Sequence, residues 1–204
     1  MQQIQHSADT PRLSVDVDER VAPRFTLMIR TGKLIVEDRQ YLCLLRDVSA
    51  TGASVRTFHP LVQGRRYAIE FETGDRVAAD LVWNDGQVAG FHFHTPINVD
   101  DLMMGSIRYP KRDLRFEIAL PVEIHTRNGV LPATISNLSR QGGRIECDSG
   151  LALDQPVRIE GAGMPEIEAR VRWRDDGSYG LVFDTTFTLD QLARVLSHLH
   201  MRVA

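Results

Sequence analysis

The stretch Asp47-Val48-Ser49-Ala50-Thr51-Gly52 reads D-x-S-x-x-G, and ninety residues later Asn137-Leu138-Ser139-Arg140-Gln141-Gly142 reads N-x-S-x-x-G. The same offset carries Trp83 to Trp173, Asp85 to Asp175, Gly90 to Gly180, Phe93 to Phe183 and Asp100 to Asp190. Between 47–102 and 137–192, 13 of 56 ungapped positions are identical, far more than unrelated stretches share. Self-similarity in a fixed register marks a duplicated unit. Upstream the register moves by one, since Arg24-Phe25 matches Arg115-Phe116. The 204 residues are therefore expected to hold two copies of one unit, joined near 98–107, each of small-domain size.

Within a copy the apolar runs are short, β-branched or aromatic, and punctuated by turn residues. They are 25–30, 40–48, 53–57, 66–72, 76–83 and 87–93 in the first copy, with matching runs in the second. Turns are expected at Thr31-Gly32, Pro60, Gly64, Thr73-Gly74-Asp75 and Asn84-Asp85-Gly86. Strands with turn signals every 8–12 residues predict a barrel or sandwich. Pro121 and Pro132 are expected at edges or bulges, because proline removes a ladder donor. Trp83 and Trp173 read as core anchors. Cys43 and Cys147 lie in apolar strands outside any CxxC and read as buried, reduced thiols.

A helix is expected to close each copy. Thr188-Leu189-Asp190-Gln191 has the capping-box pattern, in which a hydroxyl and a side-chain amide satisfy each other's backbone N–H. Leu189, Leu192, Ala193, Leu196 and Leu199 then give a helical apolar stripe suited to plugging a barrel mouth or to pairing two chains. The first copy starts alike at Asn98 and is cut short at Gly105.

The polar residues that could do chemistry gather around the repeated motif. Arg20 and Arg24 bracket Pro23, which excludes a helix interior and puts both guanidiniums on a loop. Twenty-three residues after Arg24 comes Asp47, then Ser49 and Gly52. Guanidiniums fork onto phosphate and onto the O6/N7 edge of guanine. A carboxylate accepts from guanine's N1–H and N2–H. A hydroxyl serves either group, and glycine frees the turn and lets a ligand near the backbone. Two arginines and one carboxylate thus form a small reader of guanine nucleotides.

With these residues in this order, the chain resembles the PilZ domain, twice: RVAPRF followed by LLRDVSATGASV and RVAADLVWNDGQVAGFHF over about 18–103, and again over about 108–204. The family signature is R-x-x-x-R on an N-terminal loop, then D/N-x-S-x-x-G on a barrel. The resemblance implies an all-β chain of two tandem six-stranded barrels, each followed by a helix, the first short and the C-terminal one longer. It implies cyclic di-GMP as ligand, held by Arg20, Arg24, Asp47, Ser49 and Gly52, and no catalysis. The units would be an N-terminal arm 1–17, a first domain 18–103 and a second domain 104–204.

The second copy departs from the signature. Lys111 stands where Arg20 does, and the R-x-x-x-R from Arg108 to Arg112 comes three residues early. Lysine cannot make the planar fork. Its ligand set would be Lys111, Arg112, Arg115, Asn137, Ser139 and Gly142, with an amide in place of the carboxylate. Glu19 stands where an extra basic residue accompanies a nucleotide dimer in this family, so one cyclic di-GMP is expected at the first site.

Composition limits the rivals. The net charge is −3 and 25% of residues are charged, unlike a protein living on a nucleic-acid backbone. No apolar run reaches membrane-helix length, and the first twenty residues lack a signal-peptide pattern, so a cytoplasmic protein is expected. His92-x-His94 lacks the carboxylate or thiol company of a metal site. No G-x-S-x-G or P-loop supports an enzyme, and no cofactor is implied. The polar arm would be loose without ligand and would fold over it, changing the surface offered to an unidentified protein partner. The alternative is a protein-interaction scaffold whose barrels have lost nucleotide binding in one or both copies. The C-terminal stripe leaves a homodimer open.

Overall fold

The alternation of inward apolar and outward polar residues closes each copy into a barrel. The computed structural model of the chain describes residues 25–102 and 113–201. The first barrel contains β1 (Phe25–Val36), β2 (Arg39–Ser49), β3 (Gly52–Thr57), β4 (Tyr67–Glu70), β5 (Arg76–Asn84) and β6 (Val88–Phe93). They close antiparallel in the order β1-β2-β3-β6-β5-β4. The second barrel repeats this with β7 (Phe116–Thr126), β8 (Gly129–Leu138), β9 (Gly142–Glu146), β10 (Pro156–Gly161), β11 (Ile167–Asp175) and β12 (Ser178–Phe183). A helix α1 opens at 99, with residues to 102 described. The longer α2 (Leu189–Met201) closes the second copy.

Each barrel is filled mainly by its own side chains. Leu34, Cys43, Ile69, Phe91 and Phe93 fill the first; Ile124, Ile135, Ile145, Ile159 and Val171 fill the second. Both cysteines are free and buried, and burial pushes the Cys43 thiol up to about 12. The capping box forms as expected: the Thr188 N–H donates to Gln191 Oε1 at 2.9 Å, and the Gln191 N–H to Thr188 Oγ1 at 3.2 Å. Leu192, Ala193 and Leu196 are buried in the second core. The stripe is thus taken up within the chain.

Two turn and packing expectations are corrected. Thr31-Gly32 is not a turn: β1 runs through it, Gly32 pairing with Cys43. The reversal lies at Glu37 and Asp38, both at positive φ, as a tight hairpin requires. Gly32 is instead small because Cys43 Sγ and the Glu70 carbonyl oxygen each lie 3.3 Å from where a Cβ would be. Trp83 and Trp173 are not core anchors, being 43% and 40% exposed. A register shift in β5 and another in β11 precede them, and such bulges re-aim side chains. Pro121 and Pro132 do lie where their strands pair on one side only.

β2 belongs to both halves. Its residues 42–45 are buried without a break, the signature of a strand covered on both faces. Cys43 and Leu45 point into the first core, whereas Leu42, 2% exposed, packs in the second. Beside it Tyr41 stacks on His59 with ring centroids 3.7 Å apart, and His200 of α2 tilts against Tyr41 at 4.7 Å. His200 Nε2 lies 3.1 Å from the Gln40 carbonyl oxygen, and Gln40 Oε1 accepts from the Glu117 N–H at 3.1 Å. Burial, with His200 adding repulsion, pushes the His59 imidazole down to about 4. Burial and Arg39 lower His200 as well, against its bond to Gln40.

These features lead to two expected outcomes. The His59 imidazole stays neutral in the folded seam down to about pH 4, yet an unfolded chain takes up its proton from about pH 6.5 downward. Stability should therefore fall as pH drops from about 6.5 through about 4. Thermal midpoints across this range should show a shallower fall for His59→Phe than for the wild type. Leu42→Ala should cost about 2–5 kcal/mol in a denaturant titration, from a residue that sits outside its own barrel's core.

Candidate functional site

The repeated motif forms a turn on the rim of each barrel, and the hydrogen bonds that shape it recur. Ser49 Oγ donates to the Gly52 carbonyl at 3.3 Å, and Ser139 Oγ to the Gly142 carbonyl at 3.0 Å. The Phe93 N–H donates to the Thr51 carbonyl at 2.8 Å and the Ile97 N–H to the Ala50 carbonyl at 2.8 Å. In the second copy Phe183 and Phe187 donate to Gln141 and Arg140, both at 2.9 Å. The turn is therefore clamped to the segment that leaves the last strand.

The glycine of the motif has a different cause from the one expected. Neither Gly52 nor Gly142 lies in the left-handed region. A Cβ on Gly52 would instead collide with the Phe91 carbonyl oxygen, and one on Gly142 with that of Leu181. The glycine lets the neighbouring strand close against the turn.

Asp47 and Asn137 follow a register shift in β2 and β8 respectively. Their surroundings differ. Asp47 Oδ2 accepts from Ser54 Oγ at 2.8 Å. Asn137 Nδ2 donates to Glu117 Oε1 at 2.7 Å, while its Oδ1 is buried without a hydrogen-bond partner among the described residues. Arg144 stands where Ser54 does in the first copy.

In the second copy the rim is a cleft of about 440 Å³, within the usual size range of small-molecule sites. Arg115, Ser139 and Gly142 line it, as the sequence predicts; Asn137 lies beside it on β8 and is turned toward Glu117. Arg20, Arg24, Lys111 and Arg112 lie outside the described residues.

Asp113, Arg172 and Trp173 also line the cleft and were not singled out for it from the sequence. The Trp173 indole packs against Gly180, whose Cβ would collide with it, and Trp83 covers Gly90 in the same way. The coincident offset of Trp83/Trp173 and Gly90/Gly180 is the signal that would have found this pair. Such a wall presents an aromatic face to a base, while Arg115 and Arg172 present cationic forks. No ion pair ties either arginine to a described residue. The cleft can thus take an anion bearing a planar, hydrogen-bonding ring.

Among curated proteins, none matches the sequence. Solved structures similar to it include the PlzA protein of Borreliella burgdorferi in complex with c-di-GMP, at 10% identity and a TM-score of 0.38, over 82% of this chain and 87% of that one. MrkH of K. pneumonia in complex with c-di-GMP is 16% identical over 85% of this chain and 89% of that one, with a TM-score of 0.33. YcgR of Escherichia coli in complex with c-di-GMP is 12% identical over 85% of each chain, with a TM-score of 0.32. The PilZ domain is matched at residues 18–109 and again at 106–200. With two such matches covering 18–200, the chain belongs to the PilZ domain family.

Proposed function

We propose that the protein is a cyclic di-GMP receptor that acts on a downstream partner without catalysing a reaction. The observation that carries this reading is the second-barrel cleft, where the motif turn, two arginines without an ion pair to a described residue and an aromatic wall face one space. Membership of the PilZ domain family supports it. In the first copy Arg20 and Arg24 would clamp guanine edges and phosphates. Asp47 and Ser49 would take a guanine edge on the turn that Gly52 closes, for one nucleotide. In the second, Lys111, Arg112 and Arg115 would supply the cations beside Asn137, Ser139 and Gly142.

The working units are an arm 1–17 and domains 18–103 and 104–204. Nucleotide binding would draw Arg20 and Arg24 onto the rim and reset the joint between the barrels, altering the surface that a protein partner meets. No cofactor is needed. Among the described residues, no helix is long and apolar enough to cross a membrane, and the cytoplasm, where the nucleotide is available, is the proposed location.

A second reading is favoured by one observation. The Asn137 amide is engaged by Glu117 rather than facing the cleft, which suits a second barrel that serves as a protein-binding scaffold.

Isothermal titration of the full chain with cyclic di-GMP tests the proposal. Arg24→Ala should weaken the first site about 30-fold or more, the cost of removing one partner of a desolvated charge pair. Arg115→Ala should do the same for the second site alone. Absence of binding to the wild type would move the function to the scaffold. In a parallel limited digestion, saturating nucleotide should protect residues 1–24 and 98–115; unchanged cleavage there would remove the switching step.

A further inference from the structure

The second cleft contains two charged residues for which the first copy has no counterpart. Arg172 occupies the position of Val82, and Asp113 that of Ala22. Neither belongs to the R-x-x-x-R or N-x-S-x-x-G positions. Arg172 falls at the register shift of β11, between Val171 and Trp173. A bulge residue is released from the ladder and its side chain can be aimed, and this one reaches the cleft beside Trp173. Asp113 lies two residues before Arg115 on the segment entering β7. Its Oδ2 is buried and has no hydrogen-bond partner among the described residues. A buried carboxylate oxygen left without a donor is costly, and a ligand N–H would relieve that cost.

The same cleft lacks what the signature would provide. Lysine replaces one arginine of the fork, and Asn137 is turned to Glu117. Measured against Arg20 and Asp47 of the first copy, the losses and the additions match in kind: a guanidinium for a guanidinium and a carboxylate for a carboxylate.

Resting on the receptor reading, we infer that Asp113 and Arg172 form a replacement guanine-reading set for the second barrel. Asp113 accepts from the N1–H and N2–H of a guanine, and Arg172 forks onto its O6/N7 edge or onto a phosphate of the same nucleotide. The second cleft is then a working site with its own contacts. Its preference for guanine over adenine comes from Asp113, because adenine offers no such pair of donors on that edge.

The test uses the full chain carrying Arg24→Ala, titrated with cyclic di-GMP and, separately, cyclic di-AMP. In that background Asp113→Asn and Arg172→Ala should each weaken cyclic di-GMP binding roughly 10- to 100-fold. Arg172→Lys should fall between Arg172→Ala and the parent. Asp113→Asn should also narrow the guanine-to-adenine ratio, which a merely structural role would leave alone; thermal midpoints of all variants confirm that the fold is kept. If the Arg24→Ala chain binds and Arg115→Ala abolishes that binding, while Asp113→Asn and Arg172→Ala stay within twofold, this inference is overturned and the receptor reading stands. If Arg24→Ala alone removes all binding shown by the wild type, the second cleft is silent and the inference falls, again leaving a receptor. If the wild type does not bind, the receptor reading itself fails and takes the inference with it.

Discussion

In each barrel a strand carbonyl comes so close to the motif glycine that only hydrogen fits between them. The Phe91 oxygen faces Gly52 and the Leu181 oxygen faces Gly142. That approach lets β3 pair with β6, and β9 with β12, where the chain order crosses over and the barrel closes. The serine of the same motif, bonded to the glycine's carbonyl, fixes the turn that precedes the contact. Barrel closure and the motif turn therefore share residues, and the turn is held by the same strand contacts as the barrel wall. A binding surface built on such a turn needs little reorganisation of its own, which favours affinity.

The parts of this arrangement that were legible in the sequence are those with local causes. The motif repeat, the capping box of α2 and the alternating strands state their geometry within a few residues. The misreadings arose where a distant strand decides. Thr31-Gly32 has the composition of a turn, but Gly32 is small to admit Cys43 and Glu70 from neighbouring strands. Trp83 and Trp173 have core-forming side chains, yet a bulge turns each outward over a glycine of the next strand. The unbroken apolar run in β2 gave no sign that one residue, Leu42, serves another domain. Asp113 and Arg172 are 59 residues apart and line one cleft only once β7 and β11 have taken their places on the barrel.

Duplication has distributed constraint unevenly over the rim. Closure glycines, motif serines and the Trp–Gly pairs are retained in both halves, since each is demanded by barrel geometry. The charged residues around them have drifted: Ser54 against Arg144, Val82 against Arg172, Asp47 against Asn137. Charge on the rim can change without loss of the fold, because the rim's shape is held by backbone hydrogen bonds and close strand approach rather than by ion pairs.

The placement of Leu42 and Tyr41 has a consequence for the ancestry of the chain. A free-standing barrel would leave both side chains in water, and α2 would keep an uncovered flank where they now lie. Once the two copies had acquired this shared strand, neither could be lost or exchanged without exposing apolar surface on the other. The duplication is locked in by solvation.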